Sequence, residues 1–276
     1  MQGNKRVYPG NGLSGKWLSY LLLFLSLVVL LSGLVWRGNG EGIFIELSAT
    51  ETPIPTDESF DDTQESREIS LPASAWVALQ LGAFEDEKSA SELSEQFRKR
   101  GAAGYVWHDT RFRTLAAVYP TREDAQNVRT QLQKQHTIET FLYQINLPAL
   151  RLRMNGMKGQ LDILEAAFLH ANDLITREQE IGLTLDRQEN SVASAIQQLA
   201  EVNGQMDLVA LRLKQRFVQP RHQSVQGLIE CFENYSEFCR TLSNEDSEVT
   251  MATKIKYQTI HTLYLLKNVY DALGNS

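Results

Sequence analysis

The pattern of apolar and polar positions divides the chain into four segments of different character. Residues 17–36 are uniformly apolar, and residues 48–72 are polar and acidic. Residues 75–147 alternate between a period of two and a helical period, whereas residues 148–276 follow a helical period almost throughout. Because the period of the apolar positions reports secondary structure, the chain predicts an apolar helix, a linker, a mixed α/β part and a helical part.

The apolar segment has the length of a membrane span. Residues 17–36 contain no charge, and at ~1.5 Å of rise per residue they cover about 30 Å, the thickness of a bilayer core. Three basic residues precede the segment and one follows it closely. By the positive-inside rule, we expect residues 1–16 in the cytoplasm and everything after residue 36 on the other side of a cell membrane.

A cleaved signal peptide is the alternative interpretation of the same segment. Its apolar core would measure about 7–15 residues and would precede a small-x-small cleavage site. Here the apolar run is longer, and residues 32–36, SGLVW, make a poor site. We therefore predict an uncleaved single span, residues 17–36, that anchors the chain.

An acidic segment follows the predicted span. Residues 41–72 hold nine acidic residues and one basic residue, with few large apolar side chains to offset the entropy lost on ordering. We expect residues 37–72 to be a solvated, extended linker that tethers the next domain above the membrane.

The mixed segment begins with a strand, a corner and a helix. Alternation of apolar residues over 76–81 indicates a half-buried strand, and helical spacing over 86–99 indicates the helix. Residues 104–108 then read as a second strand. A glycine, Gly82, lies at the corner, but the helix opens with the acids at 85–87, which would repel a phosphate. The glycine therefore predicts no anion site.

The same unit recurs 35 residues later without a gap. Gly82-Ala83-Phe84 aligns with Ala117-Val118-Tyr119, Ala90 with Ala125, and residues 105–108 with 140–143. Two such units predict an α+β, ferredoxin-like β-α-β-β-α-β domain over residues 73–147, with two helices on one face of an antiparallel sheet and the other face open. We expect four residues to form structural corners: Gly82, Phe84, Ala117 and Tyr119. Alanine at 117 should confine that corner to negative φ and change its backbone.

Residues 75–147 resemble a known family at this level of detail. The sequence Val-x-Leu-Gln-Leu-Gly-Ala-Phe, an alanine six residues after the phenylalanine, the second-half Arg-x-x-x-Ala-x-Tyr, and Thr-Arg-Glu-Asp-Ala are similar to the SPOR domain, the sporulation-related repeat. The resemblance implies binding of bacterial peptidoglycan, in particular of glycan strands stripped of their stem peptides. It also implies a place at division or sporulation septa. In the family the glutamine of the first strand lies in the glycan site, and the matching position is Gln80.

Alternation predicts which side chains reach a glycan. If Val77 faces the helices, then Trp76 and Gln80 lie on the open face, and the repeat places Arg113 there too. These supply a flat aromatic ring, an amide and a guanidinium, which suit a polysaccharide rich in hydroxyl, N-acetyl and carboxylate groups. In the second strand the pattern leaves two pairs open as the outward residues: Tyr105 with Trp107, or Val106 with His108. We name Tyr105 and Trp107 as the candidates for stacking.

The last segment predicts an antiparallel helical bundle over residues 148–276. Helices are expected at about 157–179, 187–217, 223–243 and 246–272, separated by short connections. Their apolar stripes suit the core of the bundle itself, and a surface for oligomerisation is the alternative. The two cysteines, Cys231 and Cys239, lie eight residues apart in one helix, about 12 Å along its axis, and so should not form a disulfide.

No pattern of an enzyme, a metal site or a nucleic-acid interface stands out. The five histidines lack metal-ligand spacing, no nucleophile motif is present, and no cofactor is expected. No basic face suits a nucleic-acid backbone. We expect a membrane-anchored protein that binds peptidoglycan. The alternatives are a scaffold that recruits division or sporulation proteins through residues 148–276, and an unrecognised wall hydrolase.

Overall fold

The computed structural model describes residues 63–218 and 222–274. Within these ranges the strands, in chain order, are β1 (Gln64–Leu71), β2 (Ser74–Phe84), β3 (Tyr105–His108), β4 (Phe112–Tyr119), β5 (Phe141–Leu147) and β6 (Leu150–Met157). The helices are α1 (Glu87–Arg98), α2 (Arg122–His136), α3 (Lys158–Asp186), α4 (Val192–Arg216), α5 (Gln223–Arg240) and α6 (Glu248–Gly274).

Strands β2 to β5 form one antiparallel sheet in the order β3-β4-β2-β5. Helices α1 and α2 pack on the same face of this sheet, over β2 and β4. The observed order is the predicted β-α-β-β-α-β arrangement, so the α+β architecture is confirmed.

The duplication is visible in the way the two helices begin. The Asp86 side chain accepts a hydrogen bond of 2.9 Å from the backbone amide of Ser89, and the Thr121 hydroxyl accepts one of 3.1 Å from that of Asp124. Each bond satisfies an amide that the first helical turn leaves unpaired. The two capping residues are 35 positions apart in the sequence. The repeat therefore preserves the start of each helix as well as its core.

The second unit has one extra residue before its second strand, contrary to the ungapped alignment. Trp107 of β3 pairs with Arg113, and Tyr143 of β5 pairs with Ala78. Ala78 and Arg113 are equivalent positions of the two units, so Tyr143 corresponds to Trp107 at a distance of 36 residues. Helix α2 accommodates the insertion, because it has 15 residues where α1 has 12. It ends at His136, and the next residue, Thr137, has a φ of 55°.

Glycine is needed at the first corner for space. Gly82 has no positive φ, unlike Gly101 and Gly104. A Cβ atom at Gly82 would lie 2.8 Å from Phe84 Cε2 and 2.9 Å from a methyl group of Leu93. Since any residue can adopt the backbone conformation of Gly82, alanine at the equivalent position 117 does not by itself require a different conformation there. The predicted reason for a difference between the two corners, a φ that only glycine adopts, was therefore wrong.

Residues 64–71, which we expected to belong to an extended linker, form strand β1 instead. It pairs with β6 in an antiparallel two-stranded ribbon. The ribbon keeps the register of the β2–β5 ladder: that ladder ends at the pair Ser74–Leu147, and the ribbon begins at Leu71–Leu150. Only Pro72-Ala73 and Pro148-Ala149 separate the two ladders, since proline has no amide proton to donate. The sequence conceals β1 because its apolar residues are few and its partner is distant.

The C-terminal part is the predicted four-helix bundle. Consecutive helices pack against each other and α6 closes on α3, so that each helix has two neighbours around one core. Large apolar residues from all four helices are fully buried, among them Leu174, Leu199, Leu228 and Leu263. Cys231 and Cys239 both lie in α5 and are free thiols, as expected.

The predicted cytoplasmic segment 1–16, the span 17–36 and most of the linker lie outside the described residues. In residues 63–218 and 222–274, the structure contains no helix that is both long and apolar enough to span a membrane.

Candidate functional site

The sheet face turned away from α1 and α2 carries the predicted site, and we call it the outer face. Because residues paired across strands share a face, the ladders assign its members. They include Trp76, Ala78, Gln80, Tyr105, Trp107, Arg113, Leu115, Val118, Phe141, Tyr143 and Ile145. Of the two pairs that the sequence left open in the second strand, Tyr105 and Trp107 are therefore the outward ones.

The outer face is not open, contrary to our prediction, because helix α6 of the bundle lies on it. The edge of Tyr264 meets the ring of Trp107 at a centroid distance of 5.0 Å. Tyr105 lies 5.0 Å from Tyr257, and its hydroxyl is in a hydrogen bond of 3.1 Å with Nδ1 of His261. Tyr105 and Trp107 are 6% and 3% exposed. A polysaccharide therefore cannot stack on these two rings while α6 stays in place.

Trp76 is buried as well, with 6% of its surface exposed, in the core that the sheet shares with the bundle. It pairs with Ile145 at the end of the sheet next to the ribbon. Burial here joins the sheet to the helical part, so the three aromatic residues predicted to bind glycan serve as core residues in this conformation.

The other end of the outer face remains accessible and contains a hydrogen-bonded polar network. Arg113 donates through Nη1 to Oε1 of Gln80 at 3.0 Å, and through Nε to both oxygens of Asp109 at 3.1 and 3.0 Å. The Tyr143 hydroxyl donates to Asp109 at 2.8 Å, and the Arg113 guanidinium lies 4.5 Å from the centre of the Tyr143 ring. Phe141, opposite Gln80, is 55% exposed. We call these five residues the polar strip.

Electrostatics hold the polar strip in one ionisation state. Partial burial favours the neutral form of Asp109, but the amide of Arg111, the Tyr143 hydroxyl and the Arg113 guanidinium all favour the carboxylate and lower its pKa to about 2. Burial, and then the hydrogen bond to Asp109, raise the pKa of Tyr143 to about 12. At neutral pH the strip therefore holds an ion pair, a neutral phenol and an amide in fixed positions.

This arrangement suits a polar, uncharged or weakly anionic polymer. The Gln80 amide offers a donor and further acceptor capacity, the arginine keeps unused N–H groups, and the two aromatic rings offer flat apolar surface. Sugars present hydroxyl groups along their edges and C–H groups on their faces, and so match both kinds of surface. The strip can bind such a ligand without any covalent chemistry.

The structure brings two predicted site residues together on the accessible part of the outer face and buries the other three, although Trp107 pairs directly with Arg113 across the strands. Gln80 and Arg113 are hydrogen-bonded in the accessible strip, whereas Trp76, Tyr105 and Trp107 are buried. Four predicted corner residues lie on the helix side of the sheet: Gly82, Phe84, Ala117 and Tyr119.

Sequence reasoning missed three members of the strip. Asp109 lies in the β3–β4 turn, where aspartate is common for its own backbone hydrogen bonds, so its type gave no sign of a site. Tyr143 and Phe141 were missed because the ungapped repeat assigned their strand no definite face. The corrected offset of 36 residues matches Tyr143 with Trp107, which faces outward, and would have predicted that Tyr143 faces outward too.

A buried acid in the bundle also escaped notice. Glu178 of α3 is fully buried; Thr262 donates to its Oε1 at 3.3 Å, and within the described residues its Oε2 has no partner. Burial raises the pKa of Glu178 well above its usual range. The signal was its position in the apolar stripe of α3, between Ile175 and Ile181. Because it is fully buried, a polymer cannot reach it.

The part of the chain that the structure describes shows no group of three or more histidine, cysteine, aspartate or glutamate side chains that could hold a metal ion. The candidate site is therefore the polar strip, which is built from hydrogen-bond donors, acceptors and rings.

Comparison with known proteins gives one match. No curated protein and no solved structure matches the chain significantly. The family model of the SPOR domain matches residues 74–144, which run from the first residue of β2 into β5. SPOR domains are peptidoglycan-binding domains. The duplicated units, the sheet order and this match together identify residues 74–144 as a SPOR domain.

Proposed function

We propose that this protein binds the glycan strands of peptidoglycan through the polar strip of its SPOR domain. The observation that carries the proposal is the hydrogen bond between Arg113 and Gln80 on the accessible part of the outer face. The two residues that the family resemblance and the alternation selected lie in contact there, beside two aromatic rings. Strands without stem peptides are the expected ligand, since they leave the sugar edges free.

The wider setting of the protein is part of the same proposal. The uncharged segment 17–36 supports a single membrane span, with residues 1–16 in the cytoplasm and the SPOR domain and bundle outside it. A domain that binds stripped glycan would gather where septal wall is split, at division or sporulation septa. Membrane fractionation tests the anchor: the full chain should be found with the membranes, and a chain without residues 17–36 should not.

A sacculus-binding experiment tests the ligand. The full chain should bind purified peptidoglycan sacculi, and should bind more after an amidase has removed the stem peptides. Gln80→Ala with Arg113→Ala removes two side chains that donate to the ligand, and the loss of about 1–2 kcal/mol from each should weaken binding at least tenfold. The matched control is Gln133→Ala with Lys134→Ala, a pair of exposed residues on α2. Equal binding by both double variants would refute the strip as the site.

A second candidate function, a scaffold that recruits envelope proteins, rests on the surface of the bundle. Leu169 of α3 and Leu208 and Leu211 of α4 are exposed. The two helices pack together and are joined by the loop 187–191, and the leucines lie about 25–30 Å along their helices from that loop. A partner captured by the full chain from a detergent extract should be lost with Leu208→Lys and Leu211→Lys. Its retention would argue against this surface.

A further inference from the structure

We infer that helix α6 is a built-in competitor of the glycan, which must leave the outer face before a strand can occupy the full width of the sheet. The inference rests on the proposed function and adds its regulation. The outer face then has two parts. The polar strip is accessible while α6 lies on the sheet, which we call the closed state, and an aromatic half, centred on Tyr105 and Trp107, becomes available when the sheet and α6 separate.

The contact consists of groups that also suit a carbohydrate. Tyr257, His261 and Tyr264 follow each other at spacings of four and three residues, so they form one stripe along α6. This stripe meets Tyr105 and Trp107 through tilted and edge-on ring contacts and one hydrogen bond. A sugar bound to these aromatic residues would make the same kinds of contact, packing its C–H groups on the rings and forming hydrogen bonds. The stripe therefore occupies the place of a ligand.

The stripe is separate from the residues that hold α6 in the bundle. Tyr257 is exposed, and His261 and Tyr264 are only half-buried, whereas Ile255, Leu263 and other residues of the opposite side are fully buried in the bundle core. Opening therefore requires no unfolding of α6. The sheet can leave the stripe as one body while α6 keeps its place among the other helices, and this movement also exposes the outer-face residues of the shared core, Trp76 among them.

The two connections between the sheet and the rest of the fold permit such a movement. The chain enters the sheet through Leu71-Pro72-Ala73 and leaves it through Leu147-Pro148-Ala149, the same tripeptide on both sides. The prolines and the alanines are exposed, and they interrupt an otherwise continuous ladder at the same level. Two short crossings without ladder hydrogen bonds, side by side, make a hinge axis between the ribbon and the SPOR domain.

Competition lowers the apparent affinity by the fraction of molecules that are open. A change that loosens the stripe without touching the strip should therefore tighten binding to stripped glycan. The variant is His261→Ala with Tyr264→Ala in the full chain, and the control is Asn268→Ala, an exposed residue of the same helix. The double variant should bind amidase-treated sacculi at least about threefold more tightly than the unmodified chain and the control.

A second measurement needs no variant. Diethyl pyrocarbonate modifies accessible histidines, and His261 is shielded beside Tyr105. On binding of amidase-treated sacculi to the unmodified chain, the modification rate of His261 should rise, with the exposed His108 as the internal reference. This measurement decides the question if the double variant proves unfolded by circular dichroism.

The outcomes separate the two proposals. Equal or weaker binding by a folded double variant, or an unchanged His261 rate in the bound chain, overturns the competition and leaves the proposed function intact. Failure of the unmodified chain and both variants to bind sacculi overturns the proposed function and the competition with it. Tighter binding by the double variant together with faster modification of His261 supports both.

Discussion

The buried carboxyl of Glu178 should make the protein less stable as the pH rises. One of its oxygens receives a single hydrogen bond of 3.3 Å from Thr262, and the other has no partner among the described residues. Desolvation raises its pKa well above the usual range, against a small opposing effect of Thr262. The change Glu178→Gln keeps the size of the side chain and its hydrogen-bonding capacity, and it removes the ionisation.

The magnitude follows from proton linkage. In the folded state Glu178 keeps its proton at pH values where the unfolded chain, with a carboxyl pKa near 4.3, has lost it. Unfolding then releases one proton, so this residue lowers the free energy of unfolding by about 1.4 kcal/mol for each pH unit above ~4.3. The stabilising effect of the protonated group is complete below that pH and is lost as the pH rises towards the raised pKa. The glutamine variant should lack this slope.

Thermal unfolding followed by helical circular dichroism at about pH 5, 6 and 7 measures the difference between the slopes. Each pH unit should separate the melting temperatures of the two proteins by a further ~3–6 °C, since 1 kcal/mol corresponds to about 2–4 °C at this size. Glu180→Gln, an exposed position on the same helix, is the control and should follow the wild type. Parallel curves for all three proteins would show that Glu178 is ionised in the folded protein, and the argument from burial would fail.

Four further predictions concern the sheet and the helices α4 and α5. The pKa of Asp109 is lowered to about 2, so its carboxylate stabilises the fold at pH values above the usual aspartate pKa, and this effect is lost on acidification. The stability difference between the wild type and Asp109→Asn should therefore vanish as the pH falls from about 4 to 2. A constant difference in denaturant titrations would contradict the network. Gly82→Ala should cost about 1–3 kcal/mol in urea unfolding because its Cβ meets Phe84 and Leu93. Gly204→Ala, with open space around it, should instead stabilise α4 by up to ~1 kcal/mol. Cys231 is fully buried, and burial raises the pKa of its thiol. A thiol reagent should therefore modify it only at the rate of unfolding. Prompt labelling in native buffer would show that α5 is open to solvent.

Local patterns were sufficient to predict the SPOR part of the fold. The alternation at 76–81, the helical spacing after it, and the recurrence at 35 residues all depend on neighbours close in sequence, and they gave the order and type of the elements. Strand β1 escaped because only Ile69 and Leu71 on it are buried apolar residues, and its partner begins about 80 residues further along the chain. A strand that depends on a distant partner leaves little trace in its own sequence.

The site was predicted only in part, because some of its residues likewise depend on parts of the chain that are distant in sequence. Alternation along β2 placed Gln80 correctly, and the repeat carried that assignment to Arg113. The face of β5 depends on the spacing between β4 and β5, which the ungapped repeat underestimated by one residue, and Tyr143 was missed for this reason. The cover by α6 arises from the packing of two separate parts of the chain, and the stripe at 257, 261 and 264 resembles an ordinary half-exposed helix surface until its partner is known.

The paired strands β1 and β6 make the SPOR domain an insertion in a hairpin. Leu71 and Leu150 are directly opposite each other in the ladder, where Cα atoms lie only about 4.5–5.5 Å apart. A two-residue turn of the Asn-Gly type could join these positions in place of residues 72–149 and close the ribbon into an ordinary hairpin against α3. The SPOR domain is therefore connected to the helical part at two adjacent positions of one ribbon, and its removal would expose the α6 stripe that its sheet covers.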